Sequence, residues 1–330
     1  MTLPGISLDV HAHLIPIEAG KLLSQPGVIW DAAGETLQVD GHAIRLKSLF
    51  RPDELIAWMD TNAVCQSWIS VPPPVYRQHL EATGAEAWAT HLNEGLAAIS
   101  ASHPTRLEPL FHLPVEHPAL AARMAGALGP AKFALCAGGK TSLRYSDPGM
   151  DPLWSVLDAQ GAFVFLHPGA CCDERLNSYY LENLLGNPHE TAVTAAHLIF
   201  GGVCERFRGI RFCLAHGGGT VPMVAGRWQR GHGTGRPGVD TTMTPPRAVL
   251  RSFFADCLTH DAEATKLAAQ VFGSEHLLFG SDWPFPMGLI DPHRQTADLP
   301  PLLRKTIFSS RPDSISGPSN DTNSSLGIAN

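Results

Sequence analysis

Eight short apolar runs, separated by segments of helical spacing, narrow what this chain can fold into more than any other feature. The runs are residues 7–14 (SLDVHAHL), 67–73 (SWISVPP), 107–114 (LEPLFHLP), 133–139 (FALCAGG), 162–168 (AFVFLHP), 210–218 (IRFCLAHGG), 252–258 (SFFADCL) and 277–284 (LLFGSDWP). Helical patterns fall between them at Pro52 to Asn62, Ala85 to Ser100, Pro118 to Leu128, Pro152 to Gln160, Glu190 to Arg206 and Asp261 to Phe272. Strands joined through helices pair in parallel, and near-continuous apolar strands are those covered on both faces. The expected fold class is therefore α/β, a (β/α)8 TIM barrel. A doubly wound open sheet is the competing topology. It is disfavoured because no G-x-G-x-x-G follows the first strand and because polar residues collect at the C-terminal ends of several runs, where barrel sites lie.

The pattern predicts one barrel domain over residues 1–308 with a small β insertion after the first strand, within residues 15–50. That stretch is too long for a simple βα loop. Val28-Ile29-Trp30, Thr36 to Val39 and Ala43 to Leu46 read as short strands, with turns at Ala33-Gly34 and Asp40-Gly41, and the insertion is expected to cover the barrel mouth. Residues 309–330 are rich in Ser, Asn, Gly, Asp and Pro and read as a polar tail with little to bury.

Composition excludes several functions. With 24 Lys+Arg against 31 Asp+Glu and a net charge of -7, the chain is not suited to nucleic acid or an anionic membrane. No signal segment and no run of membrane-spanning length is found, so the expected location is the cytoplasm. Seven cysteines, an odd number, agree with reduced thiols. Cys65, Cys136, Cys204, Cys213 and Cys257 read as packing residues, and Cys171-Cys172 as small loop residues near a pocket.

Chemistry concentrates at the run ends. In Asp9-Val10-His11-Ala12-His13 a strand's two-residue period sets Asp9, His11 and His13 on one face. The spacing alone is weak, since 16 histidines in 330 residues produce roughly 0.8 such pairs by chance. Position adds the weight: His167, His216 and Asp282 close later runs, so a barrel brings all five groups around one opening. Three imidazoles and a carboxylate suit a divalent ion with an open position. The expected ligands are His11, His13, His167 and Asp282, with His216 as acid or base.

The segments Asp9-Val10-His11-Ala12-His13, Phe165-Leu166-His167-Pro168, Leu214-Ala215-His216-Gly217-Gly218-Gly219 and Gly280-Ser281-Asp282-Trp283-Pro284-Phe285-Pro286 together resemble the amidohydrolase superfamily. More narrowly, the chain is similar to the aminocarboxymuconate-semialdehyde decarboxylase group from about residue 7 to about residue 292, including Asn187-Pro188-His189-Glu190-Thr191 and Gly201 to Phe207. The resemblance implies one divalent ion, most often zinc with manganese or cobalt as alternatives, and non-oxidative decarboxylation of an unsaturated or aromatic carboxylic acid by a homodimer. It also implies that Arg45 of the insertion and a partner's Arg227 hold the substrate carboxylate, with Arg51 as the substitute for Arg45. His216 is then expected to carry a proton to the substrate carbon, and Asp282 to share in proton transfer while serving as a ligand.

Two departures bear on the substrate and the chain end. The group has a tryptophan after the His-Pro of strand five, where this chain has Gly169, and the final helix pattern is missing as Ile307 to Ser310 runs into the tail. The alternative function is a metal-dependent hydrolase of a lactone, amide or ester of a carboxylated ring compound, by fold analogy. Its binuclear form needs a bridging lysine at the end of strand four, where Lys140 lies just beyond and Lys132 just before the run.

Overall fold

A computed structural model of the chain describes residues 3–312 apart from 18, 23, 140–143 and 172. Lys140, Cys172 and the tail from 313 onward lie outside the described residues.

The first strand, β1 (Asp9–His13), is followed by three antiparallel strands, β2 (Val28–Asp31), β3 (Thr36–Val39) and β4 (His42–Ile44). The β3–β4 turn at Asp40-Gly41 has φ of 48° and 84°, the left-handed pair that a two-residue hairpin requires. The chain then enters β5 (Ser67–Ser70), β6 (Leu107–Pro109), β7 (Phe111–His112), β8 (Lys132–Ala137), β9 (Phe163–Pro168), β10 (Arg211–Leu214), β11 (Phe254–Asp256) and β12 (Leu277–Leu278).

All pairings from β5 onward, and that of β1 with β5, are parallel. β6 and β7 are one strand interrupted at Leu110, whose amide donates to Ile69 O at 2.8 Å. The ring closes where Val10 N donates to Phe279 O, Asp282 N to His11 O and His13 N to Trp283 O, at 2.7–2.9 Å. The result is the eight-stranded barrel that the alternating runs predict.

Two buried apolar clusters lie on the two faces of this wall. Leu8, Val10, Trp68, Leu110, Ala134, Phe163, Phe165, Cys213, Ala215, Phe254 and Leu278 fill the interior. Ala12, Ile69, Leu135, Val164, Leu166, Leu214 and Phe279 join the layer beneath the helices. Trp68 closes the floor with Lys132, whose ammonium stands 4.9 Å from the indole centre and pairs with Glu108. Lys132 is thus at the end of the barrel away from the mouth.

Three sequence expectations need correction. Val10 belongs to the interior with Leu8, yet His11 and His13 also turn inward, so simple alternation does not hold along β1. A bulge intervenes: Asp9 pairs with Ser67 but Ala12 with Ile69, three steps against two. A final helix does form, Pro301–Ser309, burying Leu303, Ile307 and Phe308, with Phe308 5.7 Å from Phe279. Its apolar face escaped notice because it is short and abuts the polar tail. Cys65, read as a packing residue, is exposed just before β5. Among the described residues no helix is long and apolar enough to cross a membrane.

Candidate metal centre

The bulge in β1 sets both of its imidazoles toward the mouth, and strand ends around the barrel supply the rest. His167 comes from the C-terminal end of β9, His216 follows β10, and Asp282 follows β12. His11 Nε2 and His13 Nε2 lie 3.1 Å apart, with Asp282 Oδ1 at 3.3 and 3.2 Å from them. The His167 ring centre is 4.9 Å from those of both His11 and His13. One ligand atom each of His11, His13, His167 and Asp282 lies within 4.8 Å of the others, and all four residues are buried.

Each imidazole has its second nitrogen engaged, which turns the first toward the centre. His11 Nδ1 meets Asp256 Oδ2 at 2.7 Å, His13 Nδ1 meets Ser70 Oγ at 3.2 Å, and His167 Nδ1 donates to Pro168 O at 2.9 Å. His167 Nε2 is left buried with no hydrogen-bond partner among the described residues, and with Nδ1 carrying the proton it keeps its lone pair. Burial lowers the His13 and His167 pKa values, His167 well below the ordinary range, which keeps both rings in the neutral, ligating form.

Two buried carboxylates, Asp256 and Asp282, demand a cation nearby. Burial opposes charge on His11, but Asp282 and the hydrogen bond to Asp256 outweigh it and raise its pKa to about 10. Burial likewise works against the Asp282 carboxylate, yet the His11 charge and hydrogen bonds from His11 and His13 hold it well below the usual range. A cluster that is buried, rich in imidazole nitrogen and anionic apart from a proton on His11 fits a divalent ion. An ion bound here would replace that proton.

His216 stands beside the four, its ring 5.3 Å from His11 and 5.2 Å from His167. Burial pushes its pKa down to about 4, so it is neutral near pH 7, and its Nδ1 has no partner among the described residues. Its backbone has φ 56°, and Asp282 also has φ 56°, a conformation that non-glycine residues hold only under constraint from their surroundings. At His216 the constraint is Asp256, whose carboxylate accepts from His216 N and Gly217 N at 2.9 and 2.8 Å.

Asp256 therefore links His11, the His216 loop and, through Leu258 N at 3.0 Å, its own strand end. Sequence reasoning passed over it. The available signal was a carboxylate inside Phe254-Ala255-Asp256-Cys257-Leu258, since a charge in a buried apolar run must be paired. Asp9, placed with the histidines by alternation, serves a different purpose. It accepts from Ser281 Oγ at 2.6 Å, and from Ser281 N and His11 N at 3.0 Å, and so fastens β1 to the segment carrying Asp282.

The arginines stand apart from this cluster. Arg45 and Arg227 are exposed, and their side chains make no hydrogen bond or ion pair among the described residues. Arg51 is engaged by Glu35 and Glu54, each at 2.6 Å. Gly169 is crowded: a Cβ there would fall 2.4 Å from Cys136 Sγ, so the Cys136 thiol occupies space that a side chain at 169 would need.

A closed parallel barrel with three histidines and an aspartate at its mouth defines a class of metal-dependent barrel proteins. Within that class the chain belongs to the amidohydrolase family, whose profile it matches over residues 8–309. It is 28% identical over 306 residues to the 2-amino-3-carboxymuconate-6-semialdehyde decarboxylase of Dictyostelium discoideum, covering 87% of this chain and 84% of the relative. It is 26% identical to the 6-methylsalicylic acid decarboxylase of Penicillium expansum, covering 84% of each. Among solved structures, it superposes with a TM-score of 0.75, at 16% identity, on a 5-carboxyvanillate decarboxylase of Novosphingobium aromaticivorans in complex with manganese and 4-hydroxy-3-methoxy-5-nitrobenzoic acid. That match covers 92% of this chain and 94% of the other.

Proposed function

We propose that this protein is a metal-dependent carboxy-lyase that removes carbon dioxide, without an oxidant, from an unsaturated or aromatic carboxylic acid. The observation that carries the reading is the convergence of His11, His13, His167 and Asp282 beside a neutral, unpartnered His216 at the barrel mouth. Relatives named as decarboxylases of such acids, aligned over more than four-fifths of the chain, support it.

His11, His13, His167 and Asp282 would hold the ion, with zinc as the first expectation and manganese or cobalt as alternatives. A divalent ion held there would supply Lewis acidity toward a substrate oxygen. The chain's own residues do the remainder. When the bond to the carboxylate breaks, its electron pair stays on the substrate carbon, which needs a proton. His216 is placed to relay it: the neutral ring takes a proton from water at Nδ1, which has no partner among the described residues, and passes it to the carbon, returning to the neutral form as carbon dioxide leaves. Asp282, bonded to two of the imidazoles, positions them and shares in proton transfer. Burial of the cluster excludes bulk water and strengthens each electrostatic interaction inside it.

Arg45 and Arg227 are assigned to the substrate carboxylate. Their exposure supports a role completed by a second subunit, Arg227 reaching across from the helix Val221–Gly233 of the partner in a homodimer. The exposed Tyr179, Tyr180, Leu184 and Leu185 offer apolar surface for such a contact. The cytoplasm is assigned as the compartment on the reduced thiols of Cys65, Cys204, Cys213 and Cys257.

The test combines elemental analysis of the purified protein with carbon dioxide release from a panel of unsaturated and aromatic acids. One ion per chain with release of carbon dioxide is the expected result. Two ions per chain, or turnover of esters or lactones without carbon dioxide, would overturn it in favour of hydrolysis.

A further inference from the structure

Each imidazole of the ligand set is turned toward the centre by a hydrogen bond on its other nitrogen, but the fourth ligand has no such support. Among the described residues the Asp282 carboxylate meets only His11 Nε2 and His13 Nε2, at 3.3 and 3.2 Å. Those are the nitrogens assigned to the ion, and an ion that takes their lone pairs leaves no N–H there to donate. Asp282 therefore depends on its backbone for its place. That backbone has φ 56°, a conformation that persists only where neighbours impose it.

Ser281 is the centre of that constraint. Three consecutive amides are tied down: Ser281 N donates to Asp9 Oδ1 at 3.0 Å, Asp282 N to His11 O at 2.7 Å and Trp283 N to Ser281 Oγ at 3.1 Å. The Ser281 hydroxyl has one proton, and of its two acceptors Asp9 Oδ2, at 2.6 Å against 3.2 Å for His11 O, takes it. Asp9 Oδ1 also accepts from His11 N at 3.0 Å, so one carboxylate joins the β1 ligand His11 to the residue beside Asp282. On the far side Leu289 N donates to Ser281 O at 2.7 Å, and Gly288 lies so close that a Cβ would fall 2.4 Å from that oxygen.

We infer that Ser281 is a positioning residue for Asp282, and that its bond to Asp9 sets the separation between that carboxylate and the two imidazoles of β1. Ligands on one strand, as His11 and His13 are, keep their spacing through the chain itself. Ligands on the first and last strands of a barrel need a cross-link, and the Asp9–Ser281 pair, buried at 0% and 1% exposure, is that cross-link. Removing the Ser281 hydroxyl leaves Asp9 Oδ2 buried without its donor and releases Trp283 N. Asp282 is then free to leave the left-handed conformation, and its oxygen shifts relative to the imidazole nitrogens. The inference rests on the reading of His11, His13, His167 and Asp282 as metal ligands.

The experiment titrates cobalt(II) into the metal-free protein in competition with a chelator and follows its visible absorption, whose position and strength depend on the number and arrangement of ligands. Wild type is compared with Ser281→Ala and Asp9→Asn, each below its own metal-free Tm. Both variants are expected to bind cobalt about 10–100-fold more weakly and to give an altered spectrum at saturation. Asp9→Asn keeps the side-chain volume, but its amide cannot accept at both positions, so it reports on the same cross-link should Ser281→Ala fail to fold. Where both fold and differ, Ser281→Ala decides. A lowered Tm with cobalt affinity within about threefold of wild type and an unchanged spectrum would overturn the inference, because the pair would then brace the barrel and not the ligand. Wild type that binds no cobalt would overturn the ligand reading itself, whereas wild-type binding matched by the variants removes the positioning role alone.

Discussion

Asp256 and His216 show how much of the candidate site depends on groups outside the ligand set. Asp256 carries a buried carboxylate, and burial would raise its pKa. The hydrogen bond and charge of His11 and the Gly217 amide hold it below its ordinary value instead. Because it fixes His11 with Nε2 toward the centre, Asp256→Asn should lower metal affinity by roughly 10–100-fold, as losses of such orienting carboxylates do. Competition against a chromophoric chelator measures this; unchanged affinity would show that His11 needs no orienting partner. His216 touches the reaction and not the ion in the proposed scheme. His216→Asn should therefore retain the metal while turnover falls by about 10²–10⁴, the usual worth of a positioned proton donor. Near-normal turnover with metal bound would assign proton delivery elsewhere, and loss of the metal would move His216 among the ligands.

Strand ends rather than whole strands carry the chemistry, and small residues allow those ends to meet. Gly280 lies between β12 and Asp282, where a Cβ would fall 2.7 Å from Asp256 Cβ and 2.9 Å from His11 Cβ. Neither neighbour can yield without moving its strand, so Gly280→Ala should cost about 1–3 kcal/mol by overpacking and also reduce metal content. Denaturant unfolding paired with metal analysis tests both effects, and a variant of wild-type stability would mean that the strand ends are more compliant than their packing indicates. The bulge in β1 acts in the opposite sense. One extra residue lets Val10 pack in the barrel interior while His11 and His13 both turn into the site. A regular strand containing the same residues would have placed His11 and Val10 on opposite faces.

Across the whole molecule, polar junctions tie the three-stranded insertion to the barrel; in one of them Arg77 Nη2 and Nε bind Asp40 Oδ1 and Oδ2 at 2.7 and 2.8 Å. The Arg77 hydrogen bonds hold the Asp40 carboxyl below its ordinary value. A depressed carboxyl contributes stability that is fully present above its unfolded pKa, about 3.9, and is lost as pH falls through the folded value. Asp40→Asn should thus melt below wild type at neutral pH, with the gap closing as pH drops below about 4. Calorimetric scans between neutrality and acid check this; a gap independent of pH would indicate that the junction works through shape and not charge.

Much of this organisation is legible in the order of residues alone. The eight apolar runs and intervening helical segments predict the barrel because hydrophobic periodicity is a local property that survives folding. His11, His13, His167, His216 and Asp282 can be singled out because each closes such a run, and a parallel barrel brings run ends together. Asp256 and Ser281 are not legible in the same way. Their significance depends on which residues face them from elements up to 272 positions away, as Asp9 and Ser281 do. The same holds for the β1 bulge and for the crowding at Gly169, which only neighbouring strands impose. Local sequence thus determined the elements, their order and the chemical types at the barrel mouth. Tertiary structure decided which nitrogen of each imidazole faces the centre, which carboxylate orients and which gathers, and which buried polar atoms remain open to a ligand, because hydrogen bonds and close packing are relations between residues that sequence order does not specify.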